Sequence, residues 1–191
     1  MELFGFKTFE ELLAWHCAPV MVGIKVANLF SMPIRDGAEL GKILEDYNRE
    51  FAARKLIFRQ MCYCSRRVLV LVYNEEKLAQ LLQDKGYRAY LIAAGYQERA
   101  TVEEDLATLE KHLQESAGFP HEIGIFLGYP LEDVIGFVIN KGSGCKFSGY
   151  WKVYGDVTRA QRLFATYERY RNFILKKISE GIPLYSVVAK I

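Results

Sequence analysis

The densest apolar run of the chain, residues 68–73 (VLVLVY), most constrains its fold. The run is much shorter than the roughly 20 apolar residues of a membrane-spanning helix, and its composition is typical of a buried strand. Residues 56–61 are also rich in β-forming side chains, and only a short polar stretch separates the two runs. Together they predict an antiparallel hairpin whose second strand is central, because that strand is apolar on both faces.

Helix signals alternate with such β-rich runs along the chain. Thr8 with Glu11 and Thr101 with Glu104 match the capping box, in which each side chain satisfies a free backbone amide at a helix start. The same logic predicts further helices over about residues 37–51, 75–86, 87–94, 131–140 and 156–180, and further strands over 28–33, 122–127 and 145–154. We therefore predict an α+β fold, a single domain over residues 1–191 with a mixed or antiparallel sheet packed with several helices.

Charge and cysteine content narrow the function classes. The chain has 25 Lys and Arg against 23 Asp and Glu, a net charge of +2, which provides no strong field toward nucleic acid or anionic lipid. No apolar segment follows a basic start at the N-terminus, and no run is long enough to span a membrane, so we expect a cytoplasmic protein. We expect its 4 cysteines to be reduced thiols, because their spacing fits neither a disulfide scaffold nor a C-x-x-C motif.

Three stretches carry a family resemblance: HCAPVMVGIKVANLF at residues 16–30, FPHEIGIFLGYPLEDVIGF at 119–137 and GYWKVYGD at 149–156. They resemble the signature stretches of the bacterial DUF3793 family, and the order of elements fits along nearly the whole chain. One departure is Val26, where a proline would be expected. The resemblance implies no particular activity, because the family is named for having no established function. It singles out Cys17 among the cysteines, since the other three lie outside these stretches.

Cys17 and His121 form a candidate thiol site. A cysteine at a helix N-terminus has its pKa lowered by free amides and the helix dipole, and Pro19 allows either a helix that ends near Cys17 or a new helix that begins there. A helix bearing Cys, followed later by a His that enters a strand, is also the order found in papain-like thiol hydrolases. The residues eligible to orient the imidazole are Asn28, Glu122 and Asp156.

Each member of this site has a simpler interpretation. Cys17 could be a small buried hydrophobic residue at the end of the first helix, since free cysteines are among the most buried residues. His121 and Glu122 could end a strand and meet solvent. His112, in the middle of a helix between charged residues, is predicted to lie on the surface.

A second candidate site consists of Tyr150, Trp151 and Lys152, which could stack on a flat ligand such as a flavin or a base. A strand that points aromatic residues alternately into a core and toward an edge would produce the same pattern without a ligand. The cofactor, if there is one, is not identified by the sequence. No metal ligands are predicted, because the adjacent His16 and Cys17 do not have a recognisable ligand spacing.

Two function classes remain open on these grounds. The first is an enzyme with cysteine-dependent acyl-transfer or hydrolase chemistry at Cys17 and His121. The second is a non-catalytic protein that binds a small ligand, a metal or a redox partner. They differ in whether Cys17 is accessible and ionised near neutral pH or packed and inert.

Overall fold

The computed structural model describes residues 6–33, 37–64, 67–115 and 119–191. The helices are α1 (Phe9–Met21), α2 (Gly37–Glu50), α3 (Glu75–Leu82), α4 (Lys85–Ala93), α5 (Val102–Glu115), α6 (Ile123–Phe126), α7 (Leu131–Ile139), α8 (Val157–Ser179) and α9 (Leu184–Val188). The strands are β1 (Ala27–Pro33), β2 (Leu56–Cys64), β3 (Arg67–Asn74), β4 (Phe147–Ser148) and β5 (Lys152–Val153). The predicted α+β class is confirmed.

The main sheet has the strand order β1-β3-β2, and both pairings are antiparallel. The predicted hairpin is β2 and β3, and the apolar strand β3 is central, as its two-sided apolar pattern predicts. Residues 65–66, in the polar stretch between these strands, lie outside the described residues. On one face of β3, Val68, Val70 and Val72 are fully buried.

The chain divides into two compact units, Met1–Glu76 with Tyr167–Ile191, and Lys77–Thr166, here called unit 1 and unit 2. In unit 1, α1 packs on β1 and β3, α2 packs on β2, and α9 contacts α1. Unit 2 contains α4 to α7, the β4–β5 hairpin and parts of α3 and α8. The single-domain organisation stays a prediction.

Helix starts follow the predicted capping chemistry. Thr8 Oγ1 accepts from Glu11 N at 3.1 Å, and Thr101 Oγ1 accepts from Glu104 N at 3.3 Å while Glu104 Oε2 accepts from Thr101 N at 2.7 Å. At α8, Asp156 Oδ1 accepts from Arg159 N at 2.9 Å. These bonds satisfy amides that have no partner within the helix.

Two predicted strands are corrected by the structure. Residues 122–127 form a strand in the prediction, whereas residues 123–126 form the short helix α6, with Leu127 N donating to Ile123 O at 2.9 Å. A short, fully buried apolar run gives no periodicity that distinguishes strand from helix. Residues 145–154 form a small hairpin, β4 and β5, whose turn holds Tyr150 and Trp151, instead of one strand.

In the part of the chain that is described, no helix combines the length and apolar character needed to cross a membrane.

Candidate functional site

Cys17 lies in the C-terminal half of α1, not at a helix N-terminus. Helix α1 continues past it because the stop signal is Gly23, which has φ 77°. Gly23 N donates to Val20 O at 2.9 Å and Ile24 N to Pro19 O at 2.9 Å, the two bonds of a Schellman motif. Pro19 lies inside the last turn of α1, so the prediction that a helix ends near Cys17 or begins there is wrong. The predicted activation of Cys17 by free helix amides is therefore wrong.

The Cys17 thiol is buried and neutral at physiological pH. Its relative exposure is 0%, and burial raises its pKa well above the ordinary range, although the nearby Lys25 acts in the opposite direction. A thiol with a raised pKa is a poor nucleophile, because the thiolate is the reactive form. These properties match the packed, inert interpretation of Cys17.

Lys25 is the buried cation beside Cys17. It is 5% exposed, and burial lowers its pKa to about 7, while Cys17 opposes that shift. Its Nζ donates to Ala27 O at 2.8 Å and to Asn28 Oδ1. The Asn28 amide in turn donates to His16 O on α1, so Asn28 connects the start of β1 to the helix. Asn28 thus binds backbone and Lys25.

His16 stands at the edge of this network. Its ring stacks on Phe30, with centroids 5.4 Å apart and an interplanar angle of 12°. Burial and the positive charge of Arg171 lower its pKa. His16 is therefore predominantly neutral at neutral pH, and its ring packs as an aromatic side chain.

The second family stretch lies in unit 2, where its residues line a cavity of about 390 Å³. The exposed His121 lies at this cavity, and its ring meets Phe137 edge-on with centroids 5.3 Å apart. The walls are predominantly apolar and aromatic. The lining residues are Phe119, Pro120, His121, Ile123, Gly124, Tyr129, Asp133, Val134, Phe137, Trp151 and Lys152.

Asp133 holds the third family stretch against this cavity. It is 3% exposed, its Oδ2 accepts from Trp151 Nε1 at 2.7 Å, and its Oδ1 accepts from Tyr154 N at 2.7 Å and Gly155 N at 2.8 Å. Three donors satisfy the buried carboxylate, as a buried charge requires. No local sequence pattern predicts this role of Asp133, because its partners come from a separate part of the chain.

Of the three predicted cofactor residues, Trp151 and Lys152 line the cavity. Trp151 stacks on Tyr129 with centroids 4.8 Å apart and an interplanar angle of 26°. Lys152 Nζ donates to Gly142 O at 2.6 Å and lies 5.8 Å from the centroid of the Phe137 ring. Tyr150 instead packs on Phe164, with centroids 5.3 Å apart.

Glu122 points into a separate polar cluster in unit 2. His112 Nδ1 lies 2.6 Å from Glu122 Oε1, and the Tyr96 hydroxyl donates to the same oxygen at 3.4 Å. Glu122 is 8% exposed, so the interpretation that it meets solvent is wrong, and the predicted surface residue His112 is half-buried. Burial and the charge of Glu122 raise the pKa of Tyr96. No sequence pattern indicates this cluster, because its three residues come from separate parts of the chain.

The candidate thiol-site residues are thus divided between the units, with Cys17 and Asn28 in unit 1 and His121, Glu122 and Asp156 in unit 2. Asp156 caps α8, as described above. Among the described residues, no group of three or more His, Cys, Asp and Glu side chains could hold a metal ion. The side chains of Cys62 and Cys64 lie outside the described part, whereas Cys17 and Cys145 are free thiols.

Comparison with known proteins gives one match. The model of a family described as a protein of unknown function, DUF3793, matches residues 13–188. No curated protein and no solved structure matches the chain. The family match covers nearly the whole chain and spans residues of both units. The chain therefore belongs to the DUF3793 family.

Proposed function

We propose that this protein is a non-catalytic binding protein for a small molecule, and that the ligand occupies the cavity of unit 2. The cavity volume of about 390 Å³ carries the proposal. It falls within the roughly 300–1,000 Å³ of small-molecule sites, which are mostly apolar with a few polar groups. Here those groups are His121, Asp133 and Lys152.

The origin of the lining supports the same proposal. Every lining residue that the structure describes belongs to one of two stretches by which the family resemblance is recognised, residues 119–137 and 149–156. The bonds from Asp133 to Trp151, Tyr154 and Gly155 join these stretches. A fixed frame of this kind reduces the ordering cost of binding.

Cysteine-dependent acyl transfer or hydrolysis is the weaker candidate. Such chemistry requires an accessible thiol that ionises near neutral pH. Complete burial of Cys17 and its raised pKa count against that role. We therefore assign Cys17 to the core of unit 1 and do not include it in the proposed site.

Binding can be measured with the uncharged fluorophore N-phenyl-1-naphthylamine. The chain has 2 tryptophans, so Trp15→Phe leaves Trp151, at the cavity, as the only tryptophan that can transfer energy to the probe. We expect saturable binding with one site and quenching of the Trp151 emission. Val134→Phe, which fills the cavity, should weaken binding about 10-fold or more, equivalent to about 1.4 kcal/mol.

A matched pair of exposed phenylalanines provides the control. Phe119, 53% exposed, lines the cavity, whereas Phe173, 43% exposed, lies on α8 in unit 1. Phe119→Ala should weaken binding, and Phe173→Ala should leave it unchanged, with circular dichroism confirming that each variant folds. Absence of saturable binding, or equal effects of the two variants, would contradict the proposal.

A further inference from the structure

We infer that the ligand of the unit 2 cavity is a flat aromatic molecule that carries one anionic group. This inference rests on the proposed function and specifies its ligand class. Three features of the described lining support it: the hydrogen bonds already made by Asp133, the donors of the basic side chains His121 and Lys152, and the fixed orientation of the aromatic walls.

The acidic side chain of the lining is already engaged by the protein. Asp133 accepts from Trp151 Nε1, Tyr154 N and Gly155 N at 2.7 to 2.8 Å, and these donors occupy both of its oxygens. A cationic ligand would have to compete with three formed hydrogen bonds to the buried carboxylate. Three of the roughly four acceptor positions of this carboxylate are therefore already occupied, and a cationic ligand would gain little new hydrogen bonding from Asp133.

The basic side chains of the lining keep donors that a ligand can use. Lys152 has three N–H donors, and Gly142 O accepts one of them at 2.6 Å. Within the described residues no carboxylate forms an ion pair with Lys152, and the His121 ring makes an edge contact with Phe137 but no side-chain hydrogen bond. An anionic group bound here would form charge-assisted hydrogen bonds with Lys152.

The aromatic walls favour a flat ligand over a branched aliphatic one. Tyr129 and Trp151 stack nearly parallel, at 26°, and Phe119 and Phe137 complete the aromatic lining. Trp151 is fixed in orientation, since Asp133 binds its Nε1 and Phe164 meets its ring at 87°. Rings held in fixed orientations select planar partners that stack or meet them edge-on.

Two probes with the same aromatic frame test the inference. 8-Anilinonaphthalene-1-sulfonate is an anion, and N-phenyl-1-naphthylamine is its uncharged counterpart. We expect the anion to bind about 10-fold more tightly, and the two probes to compete for one site. Lys152→Met should remove this preference, so that the ratio of the affinities for the anion and the uncharged probe falls about 10-fold.

Lys146→Met is the matched control, because Lys146 also donates to a backbone carbonyl, Gly155 O at 3.1 Å, but does not line the cavity. It should leave the affinity for both probes unchanged. Equal affinity of the two probes for the unmodified protein, or equal losses of anion affinity in the two lysine variants, would overturn the inferred anionic ligand while the binding function stands. Failure of both probes to bind would overturn the proposed function as well.

Discussion

A cysteine side chain reacts as its thiolate, and the surroundings of Cys17 oppose formation of the thiolate. The side chain is completely buried, and burial is the largest influence on its raised pKa. The neighbouring Lys25 offers little compensation, because burial lowers the pKa of its own ammonium group to about 7. Burial thus disfavours the charged form of both the Cys17 thiol and the Lys25 amine in the same apolar surroundings.

This environment predicts the order in which two cysteines are alkylated. Cys17 should react with iodoacetamide at least about tenfold more slowly than the half-buried Cys145, because its thiolate is scarce and access requires opening of the core. Mass spectrometry of time-limited labelling measures both rates. The two rates should become similar in concentrated urea. Faster labelling of Cys17 in the native protein would restore the thiol-site hypothesis.

At the scale of single helices, glycines occur in two contrasting settings. At Gly41 in α2, no described atom outside the helix's own backbone lies within 4 Å of the position that a Cβ would occupy. On α7, a Cβ at Gly136 would lie 2.5 Å from Tyr154 Cγ and 2.6 Å from Tyr154 Cβ. Tyr154 cannot easily retreat, because Asp133 Oδ1 accepts a hydrogen bond from its backbone amide.

Alanine at these two positions should therefore change stability in opposite directions. Gly41→Ala should raise the free energy of unfolding by about 0.5–1 kcal/mol, because alanine loses less backbone entropy in a helix. Gly136→Ala gains the same entropic benefit, but the added methyl group overpacks against Tyr154, which costs about 1–3 kcal/mol. We therefore expect a net loss of roughly 1–2 kcal/mol in the free energy of unfolding. Urea unfolding of both variants measures the difference. Equal stabilisation would show that α7 does not pack closely on Tyr154.

For the whole molecule, buried tyrosines link stability to alkaline pH. Burial raises the pKa of Tyr96 in unit 2 and of Tyr47 in unit 1. In the unfolded chain tyrosine ionises near pH 10, approximately its ordinary value. Above that pH the unfolded chain loses protons that the folded chain retains. The free energy of unfolding contributed by these groups is therefore complete below about pH 10 and decreases as the pH rises further.

A substitution at Tyr96 tests how much of the predicted decrease in the free energy of unfolding with pH comes from this residue. Above pH 10 the free energy of unfolding should fall by up to about 1.4 kcal/mol per pH unit for the buried Tyr96, with a smaller share from the more exposed Tyr47. Urea unfolding between pH 8 and pH 11 measures this slope, and Tyr96→Phe should make it shallower. An unchanged slope in Tyr96→Phe would mean that Tyr96 ionises equally in both states.

Local sequence patterns determined the α+β class, the β2–β3 hairpin and most helix starts. Capping boxes at Thr8 and Thr101 and the two-sided apolar run of β3 act within a few residues, so their physical effect can be read from adjacent letters. A separate pattern, aromatic residues beside Lys152, predicts a site for a flat ligand; Trp151 and Lys152 line the cavity, and the ligand stays a prediction. The strand prediction failed at residues 123–126, where the run is too short to show a period.

Tertiary structure decided the features that depend on contacts between distant parts of the chain. The burial of Cys17 depends on the strands and the helix α9 that pack around α1. The pairing of His112 with Glu122, and the three donors that satisfy Asp133, join residues 10 to 22 positions apart. Side-chain pKa and accessibility follow from desolvation and neighbouring charge, which exist only once these segments meet. The sequence therefore specified the residue types, and tertiary packing determined the burial, the pKa and the accessibility of each side chain.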